Sequence, residues 1–246
     1  IKLTFASKCT LMTFAEFDLS PEILRSIDEL GFVEPTPIQQ EAIPQLLSSD
    51  RDLVGLAQTG TGKTAAFGLP MLSKIDFNLK KVQGLVVAPT RELCVQIAND
   101  FKLYSKYSKN AKIATIYGGA SIDKQAKEIR NGAQVVVATP GRLMDMIRRK
   151  LLKINEVGCV VLDEADEMLN MGFKEDIDEI LSYTPDEKST WLFSATMPKG
   201  VEKIAMKYMQ NPIEVTIGSK NESAKNIKHV CYTVKDRDRY AGVKRI

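Results

Sequence analysis

The clearest chemical signal in the sequence is a glycine-rich loop, Ala57 to Thr64, that reads Ala-Gln-Thr-Gly-Thr-Gly-Lys-Thr. A short apolar run precedes it, and we predict that a helix starts near Ala65. In a strand–loop–helix unit, successive backbone N–H groups and the positive end of the helix dipole together bind a polyphosphate. This order of elements predicts a phosphate-binding loop.

Each residue type in the loop suits that task. Gly60 and Gly62 can adopt positive φ and let the backbone approach phosphate oxygens. Lys63 can reach the β and γ phosphates, and the Thr64 hydroxyl can bind Mg²⁺. Ala57 stands where the general pattern has its first glycine. A simpler interpretation is a Gly/Thr-rich turn that contains a lysine, but the position between strand and helix favours phosphate binding.

A second candidate, Asp163-Glu164-Ala165-Asp166, follows the most apolar predicted strand. A carboxylate at a strand end beside a phosphate loop is where Mg²⁺ needs an anionic partner. Acidic residues that cap the next helix are the alternative, because the helix dipole favours them. The phosphate loop upstream favours the metal interpretation.

The rest of the chain alternates apolar strands with amphipathic helices. Strands that are apolar on both faces and alternate with helices predict an α/β fold with a mainly parallel sheet covered on two sides. Ligands of such sheets bind at the carboxyl ends of the strands. The segments of chemical interest follow predicted strands: 60–64, 89–91, 139–142, 163–166 and 194–196.

Composition limits the class of protein. The chain has 246 residues, 44% of them hydrophobic and 26% charged, as in ordinary globular domains. No apolar run approaches the roughly 20 residues of a membrane helix, so we expect no membrane partner. The four cysteines are scattered and His229 is the single histidine, which argues against a zinc site. The net charge of +3 is too small to indicate nucleic-acid binding by itself.

With the residues 163–166 spelling D-E-A-D, the chain resembles the first RecA-like domain of the DEAD-box RNA helicases. The resemblance runs from about Phe14 to Ile217 and includes the motifs of that domain in order. They are the Q motif at 31–39, motif I at 57–64, motif Ia at 89–93, the GG element at 118–119, motif Ib at 139–142 and motif III at 194–196. The resemblance implies a three-layer RecA-like P-loop domain.

The resemblance also implies the roles of the nucleotide-side residues, with ATP and Mg²⁺ as cofactors. Phe32 would stack on adenine, and Gln39 would form a two-pronged hydrogen bond to the base edge. Asp163 would hold Mg²⁺ through water together with Thr64, and Glu164 would orient or deprotonate the attacking water. The implied nucleotide contacts are Phe32, Pro37, Gln39, Gln58, Thr59, Gly60, Thr61, Gly62, Lys63 and Thr64, with Lys63, Asp163 and Glu164 as the catalytic set.

On the RNA side, the implied contacts are to the sugar-phosphate backbone and are independent of base sequence. Short hydroxyls, backbone amides and arginines bind phosphate without reading bases. Taken singly, these residues are also compatible with a turn and with solvated helix charges. The implied RNA contacts are Pro89, Thr90, Arg91, Gly119, Thr139, Gly141 and Arg142, and the residues that link them to the nucleotide are Asp166, Ser194 and Thr196.

We therefore expect an N-terminal extension at 1–12, a first RecA-like domain at 13–217, and a linker with the start of a second domain at 218–246. The second RecA-like domain, with its arginine finger, would be missing, so the fragment alone should be a nearly inactive ATPase. We expect the helicase to act in the cytoplasm; accessory proteins are not identified. A nucleotide-gated RNA-binding module without turnover is the alternative, and a DNA helicase is a weaker one.

Overall fold

The structure is a computed structural model that describes residues 12–218, together with Tyr240 and Lys244. The predicted N-terminal extension lies outside these residues except for Met12, and the predicted segment at 218–246 lies outside them except for Gly218, Tyr240 and Lys244. His229 also lies outside the described residues. No helix in the described part is long and apolar enough to cross a membrane.

The centre of the fold is one sheet of seven strands within residues 12–218, in the spatial order β3-β4-β2-β5-β6-β1-β7. All neighbouring strands are parallel, so the predicted mainly parallel sheet is confirmed and is wholly parallel in the described part. The strands are β1 (Leu53–Leu56), β2 (Gly84–Val87), β3 (Ile113–Ile116), β4 (Val135–Ala138), β5 (Cys159–Asp163), β6 (Ser189–Ser194) and β7 (Ile213–Thr216).

Helices cover both faces of the sheet and give three layers. One apolar core packs α1 to α4 against one face, and a second core packs α5 to α9 against the other. The helices are α1 (Pro21–Glu29), α2 (Pro37–Ser48), α3 (Lys63–Lys74), α4 (Arg91–Tyr104), α5 (Ile122–Arg130), α6 (Pro140–Arg148), α7 (Ala165–Asn170), α8 (Lys174–Ser182) and α9 (Lys199–Tyr208).

The central strands form because their side chains are apolar and have a buried face on each side. All residues of β1, β2, β4, β5 and β6 are buried, which matches the rule that parallel strands are covered twice. Trp191 of β6 pairs with Leu53 of β1 and is fully buried. The edge strand β7 has only Val215 buried, because no strand pairs with its outer side among the described residues.

The helix boundaries follow local capping chemistry. Ser20 caps α1 by accepting a hydrogen bond from the Ile23 N–H at 3.4 Å, and Gly31 follows the helix at φ 77°. The predicted start of α3 near Ala65 was two residues late, because Lys63 is its first residue. Helix α4 begins at Arg91, directly after its cap Thr90.

The strand order divides the carboxyl edge of the sheet into two halves. The loops after β3, β4 and β2 carry the segments predicted to bind RNA, at 118–119, 139–142 and 89–91. The loops after β6 and β1 carry segments 194–196 and 57–62. Strand β5, which ends in Asp163, lies between β2 and β6 and so separates the two halves.

Candidate nucleotide-binding and nucleic-acid-binding site

The glycine-rich loop has the backbone geometry of an anion cradle. Gly60 and Gly62 adopt φ of 80° and 88°, in the left-handed region that favours glycine. The Thr61 hydroxyl donates to the Gln58 carbonyl oxygen at 2.7 Å, and the Lys63 ammonium donates to the Ala57 carbonyl oxygen at 3.0 Å. The loop is therefore braced internally. Lys63 is buried yet has three donors, so it can also hold a phosphate oxygen.

Gln39 joins the loop to α2. Its carboxamide oxygen accepts from the Thr36 N–H at 2.9 Å, and its Nε2 donates to the Gly62 carbonyl oxygen at 3.0 Å. A Cβ on Gly62 would lie 2.5 Å from Nε2, so only glycine permits this approach. The carboxamide keeps one unused N–H on its nitrogen and one unused lone pair on its oxygen. The edge of adenine offers an acceptor and a donor that match these two groups.

Phe32 lies at the margin of the site. Its half-buried ring packs against Phe14 at 5.6 Å and Tyr104 at 5.9 Å between ring centroids. Phe14, Phe32 and the exposed Val33 also line a cleft of about 560 Å³. The ring is thus held by aromatic neighbours, and its predicted stacking on adenine stays a prediction. Pro37 is exposed at the first position of α2.

Asp163 ends β5 with a buried carboxylate, 3% exposed. Burial raises its pKa to about 6, although the nearby Lys63 ammonium opposes the shift. Its Oδ1 accepts from the Glu164 N–H at 3.0 Å. Glu164 itself has φ 52° and ψ 50°, a left-handed conformation that costs a non-glycine residue about 1–2 kcal/mol. Glu164 is thus the N-cap residue of α7, at the turn that follows β5.

The donor set fits Mg²⁺ only in part. The described residues contain no group of three or more His, Cys, Asp or Glu side chains that could hold a metal ion alone. Asp163 and the half-buried Thr64 hydroxyl offer hard oxygen ligands, which Mg²⁺ prefers. A buried carboxylate with a raised pKa also favours a neighbouring cation. The remaining ligands must then come from phosphate and water.

Asp166 connects α7 with the end of β6. Its Oδ2 accepts from the Thr196 hydroxyl at 2.7 Å and from the Thr196 N–H at 3.0 Å. Its own N–H donates to the Ser194 hydroxyl at 3.3 Å. Partial burial opposes ionisation, but the hydrogen bonds from Thr196 and Ser194 hold the pKa of Asp166 below its usual value. The structure thus brings together the three residues predicted to couple nucleotide and RNA.

The predicted RNA-side residues lie on neighbouring strand ends. Thr90 caps α4 by accepting from the Leu93 N–H at 3.2 Å, and Thr139 occupies the N-cap position of α6. Arg142 Nη1 donates to the Ala120 carbonyl oxygen at 2.9 Å. Gly119 is exposed at φ 82°, Gly141 is exposed at the second position of α6, and Pro89 is buried.

Sequence reasoning missed two residues that organise this side. The Arg91 guanidinium lies 4.7 Å from the centroid of the Tyr117 ring. Gln125 donates to the Tyr117 carbonyl oxygen at 3.1 Å and accepts from Arg142 Nη1 at 3.2 Å. The sequence signal for Gln125 is its position beside Ala126 in a helix that is rich in charged residues. A glutamine on the buried face of such a helix needs hydrogen-bond partners, and those partners are candidates for an organised site.

Comparison with known proteins decides the family. Residues 36–204 match the model of the DEAD/DEAH box helicase family. The chain belongs to this family. The DEAD-box relatives include the DEAD-box ATP-dependent RNA helicase CshA of Streptococcus pneumoniae serotype 4, 46% identical over 96% of the chain and 44% of the relative. The ATP-dependent RNA helicase DeaD of Mycobacterium tuberculosis is 49% identical over 91% of the chain and 39% of the relative.

Solved DEAD-box structures share the fold. A DEAD box protein from Methanococcus jannaschii superposes with a TM-score of 0.81 at 39% identity, covering 95% of this chain and 62% of that one. A hypothetical ATP-dependent RNA helicase from Sulfolobus tokodaii gives a TM-score of 0.73 at 38% identity, covering 80% of this chain and 56% of that one. The predicted RecA-like fold is therefore confirmed. The chain spans less than half the length of the two curated relatives.

Proposed function

We propose that this chain is the ATP-binding half of a DEAD-box RNA helicase, which couples ATP hydrolysis to RNA binding and local duplex unwinding. The observation that carries the proposal is the place of β5. Its Asp163 to Asp166 segment lies between the loops that suit a nucleotide and the loops that suit an RNA backbone. A single sheet would then hold both proposed ligands at neighbouring strand ends.

ATP binding is assigned to the loop after β1 and to Gln39. The backbone N–H groups of the loop and the start of α3 would hold the phosphates, and Lys63 would bind a phosphate oxygen. The carboxamide of Gln39 would select adenine through its remaining N–H and lone pair. Thr64 and Asp163 would hold Mg²⁺, which offsets the phosphate charge in phosphoryl transfer.

Glu164 is assigned to the attacking water. It is the half-buried residue at the turn between β5 and α7, where its own N–H donates to Asp163 Oδ1. A carboxylate held there can orient a water molecule and accept its proton. This residue also disfavours the alternative of a nucleotide-gated module without turnover, because a pure binder has no need of a water-activating group.

RNA is proposed to bind across the loops after β2, β3 and β4, through Thr90, Arg91, Gly119, Thr139 and Arg142. Backbone contacts of this kind do not depend on base sequence. A second RecA-like domain is proposed to complete the site with an arginine finger. We place the helicase in the cytoplasm, in line with the free, buried thiols of Cys94 and Cys159.

The test compares nucleotide binding with turnover in residues 1–246. The chain should bind a fluorescent ADP analogue with Mg²⁺, and Lys63→Ala should weaken that binding. ATP hydrolysis should stay near the Lys63→Ala background with or without RNA, because an arginine finger contributes roughly three to five decades of rate. Robust RNA-stimulated hydrolysis that Lys63→Ala abolishes would contradict the need for a second domain. Failure to bind nucleotide would contradict the whole assignment.

A further inference from the structure

One buried amide lies between the two arginines of the predicted RNA side. Among the nine residues of α5, only Gln125 and Ala126 are buried, and Gln125 is 5% exposed. Burying a carboxamide costs free energy unless its donors and its acceptor are used. Its hydrogen-bond partners therefore indicate what this position does.

The partners of Gln125 belong to the ends of two strands. Nε2 donates to the carbonyl oxygen of Tyr117, just after β3, and Oε1 accepts from Arg142 at the start of α6, just after β4. The Tyr117 ring in turn contacts the Arg91 guanidinium. Arg142 Nη1 also donates to the Ala120 carbonyl oxygen, so the Gly-Gly loop at 118–119 is held from both of its sides.

We propose that Gln125 is a positioning residue for RNA binding, which fixes the loop at 118–120 and sets the direction of the Arg142 guanidinium. The two N–H groups of Nη1 are used by Gln125 and Ala120. The other three N–H groups, on Nη2 and Nε, have no acceptor among the described residues. Because the guanidinium is planar and rigid, fixing its Nη1 edge also fixes the donors available to a phosphate. This inference rests on the proposed RNA binding.

Gln125→Met tests the role with little change in side-chain length. Methionine keeps the apolar stem but can neither donate to Tyr117 nor accept from Arg142. Affinity for a single-stranded uridine oligomer should fall about three- to ten-fold, the effect of a lost hydrogen bond expressed as a binding ratio. Affinity for fluorescent ADP should not change, because Gln39 and the phosphate loop lie on the other half of the sheet.

The decisive measurement is a double-mutant cycle with Arg142→Ala, read by fluorescence anisotropy over a range of salt concentrations. If Gln125 acts through Arg142, the double variant should bind RNA like Arg142→Ala alone. Gln125→Met should also lower the salt slope by up to about 0.7, the value of one lost phosphate contact on a single strand. Gln45→Met on the exposed face of α2 is the matched control, and a thermal melt checks the folding of each variant.

Gln125→Glu keeps the inference falsifiable if the methionine variant fails to fold. Glutamate retains the acceptor for Arg142 but cannot donate to the Tyr117 carbonyl oxygen, so the loop at 118–120 loses its hydrogen bond to α5. RNA binding should weaken because of that lost contact and because the new carboxylate offsets the guanidinium charge. A Gln125→Glu variant that binds RNA like wild type would overturn the inference. The inference would also be overturned if the losses of RNA affinity in Gln125→Met and Arg142→Ala were additive in the double variant. If Arg142→Ala binds RNA as well as wild type, the proposed RNA side itself is wrong.

Discussion

Asp163→Asn should stabilise the protein in the absence of nucleotide, and the gain should shrink as the pH falls. The side chain is buried beside Glu164, and its pKa rises from 3.8 to about 6 on folding. A raised carboxyl pKa means that the folded state binds the proton more tightly than the unfolded state. The stabilising effect of that proton is complete below pH 3.8 and is lost as the pH rises through about 6.

The size of the effect follows from the shift. Two pKa units correspond to about 3 kcal/mol, which is the cost of keeping Asp163 ionised and buried at pH 8. At pH 5, one unit below the folded-state pKa of about 6, most of the folded protein carries this proton, and about half of that cost is recovered. Asp163→Asn removes the charge at both values. Its advantage over wild type should therefore be roughly 1 kcal/mol larger at pH 8 than at pH 5.

Urea unfolding at both pH values, without nucleotide or Mg²⁺, measures this difference. Asp166→Asn is the matched control with the opposite sign, because hydrogen bonds lower the pKa of Asp166 and favour its ionised form. Asp166→Asn should therefore be less stable than wild type at neutral pH. An Asp163→Asn variant that is less stable than wild type at pH 8, or whose advantage does not change with pH, would refute the reasoning.

Three further predictions concern single contacts of the site. Gln39→Ala should reduce the preference for ATP over GTP in competition binding, because a carboxamide fitted to adenine leaves polar groups unpaired against guanine; equal preference in both proteins would remove Gln39 from that role. Gly62→Ala should lower the free energy of unfolding in urea by about 1–2 kcal/mol because of its positive φ, and further because the new Cβ would clash with Gln39 Nε2. Gly60→Ala has a positive φ without that clash, so equal losses in the two variants would exclude the clash. Thr196→Val should leave ADP affinity unchanged but reduce RNA stimulation of ATP hydrolysis when the second domain is supplied, because it removes the hydroxyl bond to Asp166; full stimulation would contradict the coupling.

Much of the fold could be predicted from local chemistry. Strands such as β4 are fully apolar and bounded by polar residues, and the Ser20 cap is visible in the sequence. The ends of the helices were predicted less accurately than the strands. The start of α3 carries Lys63 and Thr64, which have no apolar periodicity, so the first turn was not recognised. The six-residue helix α7 was not predicted as an element. It has fewer than two turns, which is too short for apolar residues to repeat at helical spacing.

The site was predictable in composition and less so in contacts. The glycine loop and the Asp163 segment can be recognised from the type and order of their residues. Their position at the same edge follows because the carboxyl ends of parallel strands lie together. The hydrogen bond from Gln39 to the Gly62 carbonyl could not be predicted, because it joins two elements whose separation depends on packing. Gln125 was missed for the same reason, since its partners Tyr117 and Arg142 lie on different strand ends.

The strand order also bears on how the two ligands could be targeted separately. The outermost RNA-side strand, β3, is separated from the nucleotide strands β6 and β1 by three intervening strands, β4, β2 and β5. If RNA and ATP bind as proposed, a small molecule that occupies the Gly119 and Arg142 side should compete with RNA while ATP still binds. A molecule that displaces Gln39 from Gly62 should do the reverse. Inhibitors of this domain should therefore fall into two classes that bind together, and only those seated at the end of β5 should exclude both ligands at once.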